Sequence, residues 1–146
     1  GLALLLQRNP RAQLLLVGSD EVAYGVARSD GRSWYTWAQE QWPMDPSRVH
    51  RLPALQYEEY LQVLQRSWVH VYWTVPFILS WSLMESLASG CTLVASDTPP
   101  VQEVISSGEQ GVLVPFFDPE GLAAQGYSRQ DCLRSQLAVI EQVMAA

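Results

Sequence analysis

The chain has 146 residues, of which 48% are hydrophobic and 16% are charged, and its formal net charge is −6. This length and composition fit one ordinary globular domain with a core of its own and exclude a disordered chain. Nine basic residues against fifteen acidic ones disfavour a nucleic-acid binder, which would need a basic footprint.

Five short apolar runs predict the strands of a parallel sheet, in chain order at residues 12–18, 48–52, 69–73, 92–96 and 111–114. Several of these runs are apolar almost throughout, a pattern typical of strands that are covered on both faces. Between them, apolar residues at helical spacing predict helices at 57–67, 80–90, 99–108 and 128–146. Strands that alternate with helices predict an α/β domain with a three-layer, Rossmann-like arrangement. We expect a single domain over residues 1–146, with a parallel sheet of about five strands and helices on both faces.

One long segment, residues 19–47, interrupts this alternation. It carries Trp34, Trp37 and Trp42, three of the six tryptophans, and has turn signals at Ser29-Asp30-Gly31 and at Pro43. We interpret it as a loop with one helix at about residues 32–41.

The start of the chain and its cysteines bear on its cellular context. The longest apolar run, residues 2–6, is too short to span a bilayer, and no basic region typical of a signal peptide is visible. The chain begins at Gly1 with the pattern of the second half of an amphipathic helix, from which we expect residues to be missing upstream. Cys91 and Cys132 form no Cys-x-x-Cys motif, so we expect both to be reduced, and buried or partly buried. The prediction is a cytoplasmic protein, with any contact to a membrane surface made through the missing part.

Ligands of open parallel sheets bind at the carboxyl ends of the strands. That rule selects the residues that follow each predicted strand, which include Gly18, Ser19, Leu52, Pro53, Ser80, Asp97 and Thr98. The strongest candidate for ligand binding among them is the helix start at Ser80, a good N-cap residue. Unpaired N–H groups and the helix dipole at such a start suit a phosphate, although most helix starts at this edge are only capped or hydrated.

Glu85 is the acid of the predicted helix at 80–90, and it lies at the border of the apolar stripe formed by Leu83, Met84, Leu87 and Ala88. A carboxylate there could accept two hydroxyl hydrogen bonds from a ribose, or it could simply reach into water. Asp97 and Thr98 are open to two interpretations as well, because Asp or Thr before a proline-opened helix is a routine cap.

Several other kinds of binding or catalytic site are disfavoured, because the sequence lacks their motifs. The chain has no Gly-x-Gly-x-x-Gly, no P-loop and no Gly-x-Ser-x-Gly elbow. His50 and His70 have no second ligand at metal-binding spacing, so we expect no metal site.

The order of these motifs and the residues within them resemble those of a known family. The segments PFILSWSLMESL (76–87), ASDTPPVQEVI (95–105), GEQGVLV (108–114) and DPE (118–120) resemble the C-terminal domain of the GT-B, family-4 (group 1) glycosyltransferases. The resemblance covers about residues 3–124.

The resemblance implies a donor-binding domain that pairs with an N-terminal domain across a cleft. It implies retaining, metal-independent transfer from a nucleotide sugar, such as a UDP- or GDP-sugar, to an acceptor that the sequence does not identify. It maps the second acid of the family's Glu-x7-Glu motif, which holds the donor ribose, onto Glu85. It maps the diphosphate site onto Leu79, Ser80 and Trp81. Gly18, Ser19, Leu52 and Pro53 would border the base, and Asp97, Thr98 and Glu103 would line the cleft.

The chain departs from the family pattern at Phe77, which stands where the first acid of that motif would lie and would contact the donor sugar. The resemblance also places a phosphate-binding Arg and Lys, and any catalytic group, upstream of this chain, so we expect the chain alone to be inactive. Two alternatives remain: an inactive GT-B-like binding or interaction domain, and another nucleotide-binding Rossmann-like domain.

Overall fold

The computed structural model describes residues 1–22, 25–75, 78–108 and 110–125. Helices and strands alternate along them, and this order confirms the predicted α/β class. In chain order the elements are α1 (Leu2–Arg8), β1 (Leu14–Val17), α2 (Trp34–Gln41), a 3-10 turn (Pro46–Arg48), β2 (Val49–Leu52), α3 (Tyr57–Arg66), β3 (Val69–Tyr72), α4 (Trp81–Ala88), β4 (Thr92–Ser96), α5 (Pro99–Gln102), β5 (Gly111–Val114) and α6 (Pro119–Ala124).

All five strands lie where the apolar runs predict them, and every pairing is parallel. In the described part of the chain the strands form two ladders, β1–β2 and β3–β4–β5, rather than one continuous sheet. The carboxyl ends of each ladder lie along one edge, so the residues that follow the strands are neighbours within each ladder.

The three-layer arrangement is clearest around β4, in which every residue is buried. Leu93 and Ala95 join a core cluster with residues of α4 and α5, whereas Val94 joins a second cluster with a residue of α6. Successive side chains of a strand point to opposite faces, so both faces of this sheet are covered by helices.

The β1–β2 ladder is less covered. Side chains along β1 alternate between half-buried and exposed, and Leu15 and Val17 are 40% and 38% exposed. Within the described residues, one face of β1 therefore remains accessible although its sequence is apolar on both sides.

Helix α4 ends as its sequence predicts. Gly90 has a φ of 72°, its N–H donates to the Leu87 carbonyl, and the Cys91 N–H donates to the Ser86 carbonyl. This pair of bonds is the Schellman motif, and it needs a residue that tolerates left-handed backbone, as glycine does. The turn fixes the direction in which the chain enters β4.

The buried stripe of α4 differs from the predicted one. Leu83 is fully buried and Leu87 is half-buried, but Met84 and Ala88 are exposed, and Ser86 is buried instead. A buried serine is tolerated because its hydroxyl donates to the Ser82 carbonyl at 2.6 Å.

The helix predicted at 99–108 ends at Gln102. The Ser106 N–H donates to the Gln110 side-chain oxygen at 2.8 Å instead of continuing the helical ladder. A side chain that competes for a backbone group in this way favours a turn over a helix. The helix predicted at 128–146 lies outside the described residues.

Two further expectations concern the cysteines and the membrane. Cys91 is buried and unpaired, and its thiol donates to the Leu64 carbonyl at 3.2 Å. Cys132 lies outside the described residues. No helix in the described ranges has both the length and the apolar character needed to cross a membrane.

Candidate functional site

Gly18 and Leu52 meet at the carboxyl edge of the β1–β2 ladder. The Gly18 N–H donates to the Leu52 carbonyl at 3.0 Å, and Gly18 has a φ of 131°, a conformation that glycine adopts without strain. Gly18, Ser19 and Pro53 are exposed, and Leu52 is half-buried. The structure therefore brings these predicted base-side residues together as an open, backbone-lined edge.

A second group meets at the carboxyl edge of the three-stranded sheet. The Ser96 hydroxyl donates to the Thr74 carbonyl at 2.9 Å and accepts from the Thr74 N–H at 3.2 Å. The Asp97 N–H donates to the Val114 carbonyl at 2.7 Å, and the Asp97 carboxylate accepts from the Gln102 amide at 2.6 Å. These bonds fix the starts of the loops that leave β3 and β4, and the sequence alone did not indicate the Thr74–Ser96 pair.

The side chains of Thr98 and Asp97 do not form the routine helix-capping hydrogen bond that their sequence also permitted. Thr98 occupies the N-cap position of α5, but its side chain makes no capping hydrogen bond. Its hydroxyl is buried and has no partner among the described residues, whereas Asp97 is exposed and bonds Gln102. Glu103 is exposed.

The start of α4 has the geometry of an anion site. Ser80 is the N-cap, with extended backbone, and its hydroxyl lies 3.4 Å from the Leu83 N–H and 2.7 Å from the Ser82 hydroxyl. The N–H groups of Trp81 and Ser82 belong to the first turn and have no acceptor in the described part of the chain. The dipole of an eight-residue helix adds partial positive charge at this point.

The residues on either side of Ser80 have different roles in the fold. Leu79 is half-buried and packs against the core cluster of the three-stranded sheet. Trp81 is 82% exposed, so its indole lies on the surface. Phe77, predicted near the donor sugar, lies outside the described residues.

Glu85 lies one turn further along α4 and is half-buried. Burial and then the negative charge of Glu85 raise the pKa of Tyr60 on α3. The Glu85 carboxylate and the Ser86 side chain therefore lie near the phenol of Tyr60, whose oxygen is buried. Tyr60 is not among the residues selected from the sequence, because it fits the apolar spacing of the helix predicted at 57–67.

The two histidines behave as packed or surface residues. His50 is exposed and its Nε2 lies 2.8 Å from the Gln13 side-chain oxygen, while burial lowers the pKa of His70. No group of three His, Cys, Asp or Glu side chains that could hold a metal ion occurs among the residues that the structure describes.

The segment 19–47 is held together by a cluster that the sequence did not reveal. The guanidinium of Arg28 lies 5.0 Å from the ring centre of Trp34 and 4.9 Å from that of Trp37. Trp37 meets Trp34 and Trp42 edge to face, at 5.8 and 5.5 Å between ring centres. Helix α2 begins after Ser33, two residues later than predicted, because the Ser33 hydroxyl caps the Thr36 N–H. Trp34 and Trp42 are about half exposed.

With this geometry in view, comparison with known proteins identifies the family. A family model described as group 1 glycosyl transferases matches residues 2–127, most of the chain. The chain belongs to the group 1 glycosyltransferases. No curated protein matches the sequence significantly.

Several solved structures share the fold of this chain. HepE from Anabaena in complex with UDP matches with a TM-score of 0.69 and 17% identity over 99% of this chain and 40% of its own. HepE in complex with UDP-glucose matches with a TM-score of 0.61 and 15% identity over 100% of this chain and 45% of its own. Sucrose-phosphate synthase from Thermosynechococcus elongatus matches with a TM-score of 0.65 and 25% identity over 96% of this chain and 36% of its own.

These matches confirm the predicted family and the Rossmann-like fold of a GT-B domain. The chain spans less than half the length of each of these structures. The individual site residues, from Gly18 to Thr98, stay predictions.

Proposed function

We propose that this chain is the C-terminal, donor-binding domain of a glycosyltransferase that uses a nucleotide diphosphate sugar. The observation that carries the proposal is the start of α4 at the carboxyl edge of the sheet, where the N–H groups of Trp81 and Ser82 have no acceptor among the described residues. A diphosphate matches this site because helix N-termini bind anions through N–H groups and the helix dipole. The net charge of −6 makes such local donors necessary, since the overall field repels the ligand.

The same N–H groups would act during transfer. When the bond between the sugar and the diphosphate breaks, negative charge develops on the leaving diphosphate. Donors that are already oriented towards that charge stabilise it without reorganisation. Retention of configuration, independence of metal ions and transfer of a hexose are proposed from the family resemblance alone.

Glu85 is proposed to hold the ribose. It lies on the same helix as the diphosphate site and is half-buried. A carboxylate has acceptor sites for both hydroxyls of a ribose, and bonds to a charged acceptor are stronger than neutral ones. Gly18, Leu52 and Pro53 would then border the base.

We propose that an N-terminal domain of the same protein provides the acceptor site and closes the cleft, and that the 146-residue chain alone binds donor without transferring sugar. We also propose a cytoplasmic location, the reducing compartment that the cysteine pattern of the sequence favours.

The test is a titration of the 15N-labelled chain with UDP, GDP and ADP, followed by NMR at millimolar ligand. HepE has been solved with UDP and with UDP-glucose, so we expect UDP to give the largest shifts. Shifts should cluster at Ser80, Trp81 and Glu85, with a second group at Gly18 and Leu52. Shifts elsewhere, or none with any nucleotide, would argue against a donor site.

A second candidate function is a domain that binds nucleotide sugars or partners but has lost transfer. Phe77, in place of an acid, is the observation that favours it. If the complete protein binds UDP-glucose and releases no glucose to water or to any acceptor, this alternative gains.

A further inference from the structure

The carboxylate of Glu85, proposed to hold the ribose, is not fixed by a bond to its neighbours. The side chain is half-buried, and it forms no hydrogen bond or ion pair within the described residues. No Arg or Lys occurs between Arg66 and Arg129, so the stretch that contains α4 offers no cation to hold it. A side chain that is free to rotate must lose that freedom when it accepts two ribose hydroxyls, and this ordering costs affinity.

Helix α3 brings a polar group beside this carboxylate. The Cys91 thiol, just after α4, donates to the Leu64 carbonyl of α3 at 3.2 Å, and the Cys91 N–H donates to the Ser86 carbonyl at 3.0 Å. These two bonds tie the end of α4 to α3 through Cys91. Tyr60 lies four residues before Leu64, and residues at that spacing share one side of a helix, so Tyr60 is on the side of α3 that is tied to α4.

The phenol of Tyr60 has two acceptors near it. Its oxygen is buried, and burial and then the negative charge of Glu85 raise the pKa of the phenol, whereas the nearby Ser86 side chain lowers it. Tyr60 therefore keeps its proton at neutral pH and can donate one hydrogen bond. The Ser86 hydroxyl gives its own proton to the Ser82 carbonyl at 2.6 Å, so it can only accept from the phenol. Of the two acceptors, the carboxylate forms the stronger bond, because that bond is charge-assisted.

We propose that Tyr60 is the positioning residue for Glu85. When a nucleotide binds, the Tyr60 hydroxyl donates to one carboxylate oxygen of Glu85 and fixes the orientation in which the carboxylate accepts the two ribose hydroxyls. Tyr60 contacts neither the sugar nor the diphosphate, so its effect depends on the ribose hydroxyls and passes through Glu85. The inference rests on the proposed function, and it adds to the donor site a residue from α3.

The test compares Tyr60→Phe, which removes the hydroxyl and keeps the ring, with Tyr57→Phe on the same helix. Tyr57 is 56% exposed, so its substitution is the matched control. Affinities for UDP and for 2′,3′-dideoxy-UDP are measured by NMR titration of the 15N-labelled chain. Loss of one net hydrogen bond predicts a Kd for UDP that is roughly fivefold higher in Tyr60→Phe, with no change for the dideoxy compound. Tyr57→Phe should bind both nucleotides as the wild type does.

A spectroscopic readout separates positioning from a structural role. In the UDP complex, the side-chain carboxyl 13C signal of Glu85 should move in Tyr60→Phe and stay in place in Tyr57→Phe. Unchanged affinity for UDP in Tyr60→Phe would overturn the proposal, and so would an equal loss for both nucleotides, which would mean that Tyr60 acts through the fold. In either case UDP still shifts Ser80 in the wild-type chain and the donor site stands. A wild-type chain in which UDP shifts no signal at Ser80 would overturn the donor site itself, and the positioning role with it.

Discussion

Glu85 gives the sharpest test of the donor site. If its carboxylate accepts both ribose hydroxyls, each bond contributes about 1.5 kcal/mol, the low end for a charged acceptor, because the side chain is only half-buried. Glu85→Ala then loses about 3 kcal/mol, which corresponds to a Kd for UDP that is roughly 100-fold higher. Glu85→Gln keeps the shape and one acceptor oxygen, and we expect a loss of about tenfold.

The assay is a thermodynamic cycle in which one change is made in the protein and the other in the ligand. Affinities of the wild-type chain and of Glu85→Gln are measured by NMR titration for UDP and for 2′,3′-dideoxy-UDP. If Glu85 bonds the ribose, the substitution weakens UDP but leaves the dideoxy compound nearly unchanged, since the bonds to be lost are already absent. Glu58→Gln is the control, because Glu58 is exposed on α3 and the capping bond of that helix belongs to Glu59.

One result would refute the reasoning directly. Equal losses for both ligands in Glu85→Gln would mean that Glu85 acts through the general field or the fold, and that no ribose bond exists. A thermal unfolding midpoint close to that of the wild type is expected, because the substitution removes a charge near the phenol of Tyr60 and, within the described residues, breaks no hydrogen bond or ion pair of the Glu85 side chain.

Two further predictions concern stability. Burial raises the pKa of the Cys91 thiol from 9.0 to about 11. The thiol of the unfolded chain therefore ionises at a lower pH than that of the folded chain. The free energy of unfolding should be unaffected below pH 9 and should fall by about 2–3 kcal/mol as the pH rises towards 11. Urea unfolding across that range should show the decline, and Cys91→Ala should flatten it; an equal slope in the variant would assign the effect elsewhere. Gly111→Ala would place a Cβ 2.7 Å from the Leu93 carbonyl oxygen, and we expect a cost of about 1–3 kcal/mol in urea unfolding. An unchanged midpoint would contradict the close approach of β4 and β5.

The parts of the fold that could be predicted are those in which local pattern and packing agree. The run 92–96 is apolar and becomes a fully buried strand, and Gly90 ends α4 in the Schellman turn that its position indicates. The end of α5 could not be predicted, because it depends on the Gln110 side chain reaching back to the Ser106 N–H. Contacts of that kind have no periodic signal in the sequence.

The candidate site divides in the same way. Ser80 and Glu85 could be selected from the sequence because a cap residue and a lone acid interrupt an apolar run. The cluster of Arg28, Trp34 and Trp37 could not, because nothing in the order of those residues indicates that one guanidinium lies over two indole rings. Tyr60 was missed for a related reason, since its proximity to Glu85 arises only in the folded chain.

The departure at Phe77 separates two properties that the family pattern combines. The groups proposed to hold the nucleotide, at Ser80 and Glu85, are on α4 and are all present. The missing acid would contact the donor sugar, by resemblance. Nucleotide affinity should therefore be retained while discrimination among UDP-sugars changes, since a phenyl ring offers an apolar surface where a carboxylate would bond a hydroxyl. UDP-glucose should therefore bind the wild-type chain hardly more tightly than UDP does, and Phe77→Glu should increase that difference in affinity. If UDP-glucose already binds the wild-type chain much more tightly than UDP does, other residues have taken over that contact.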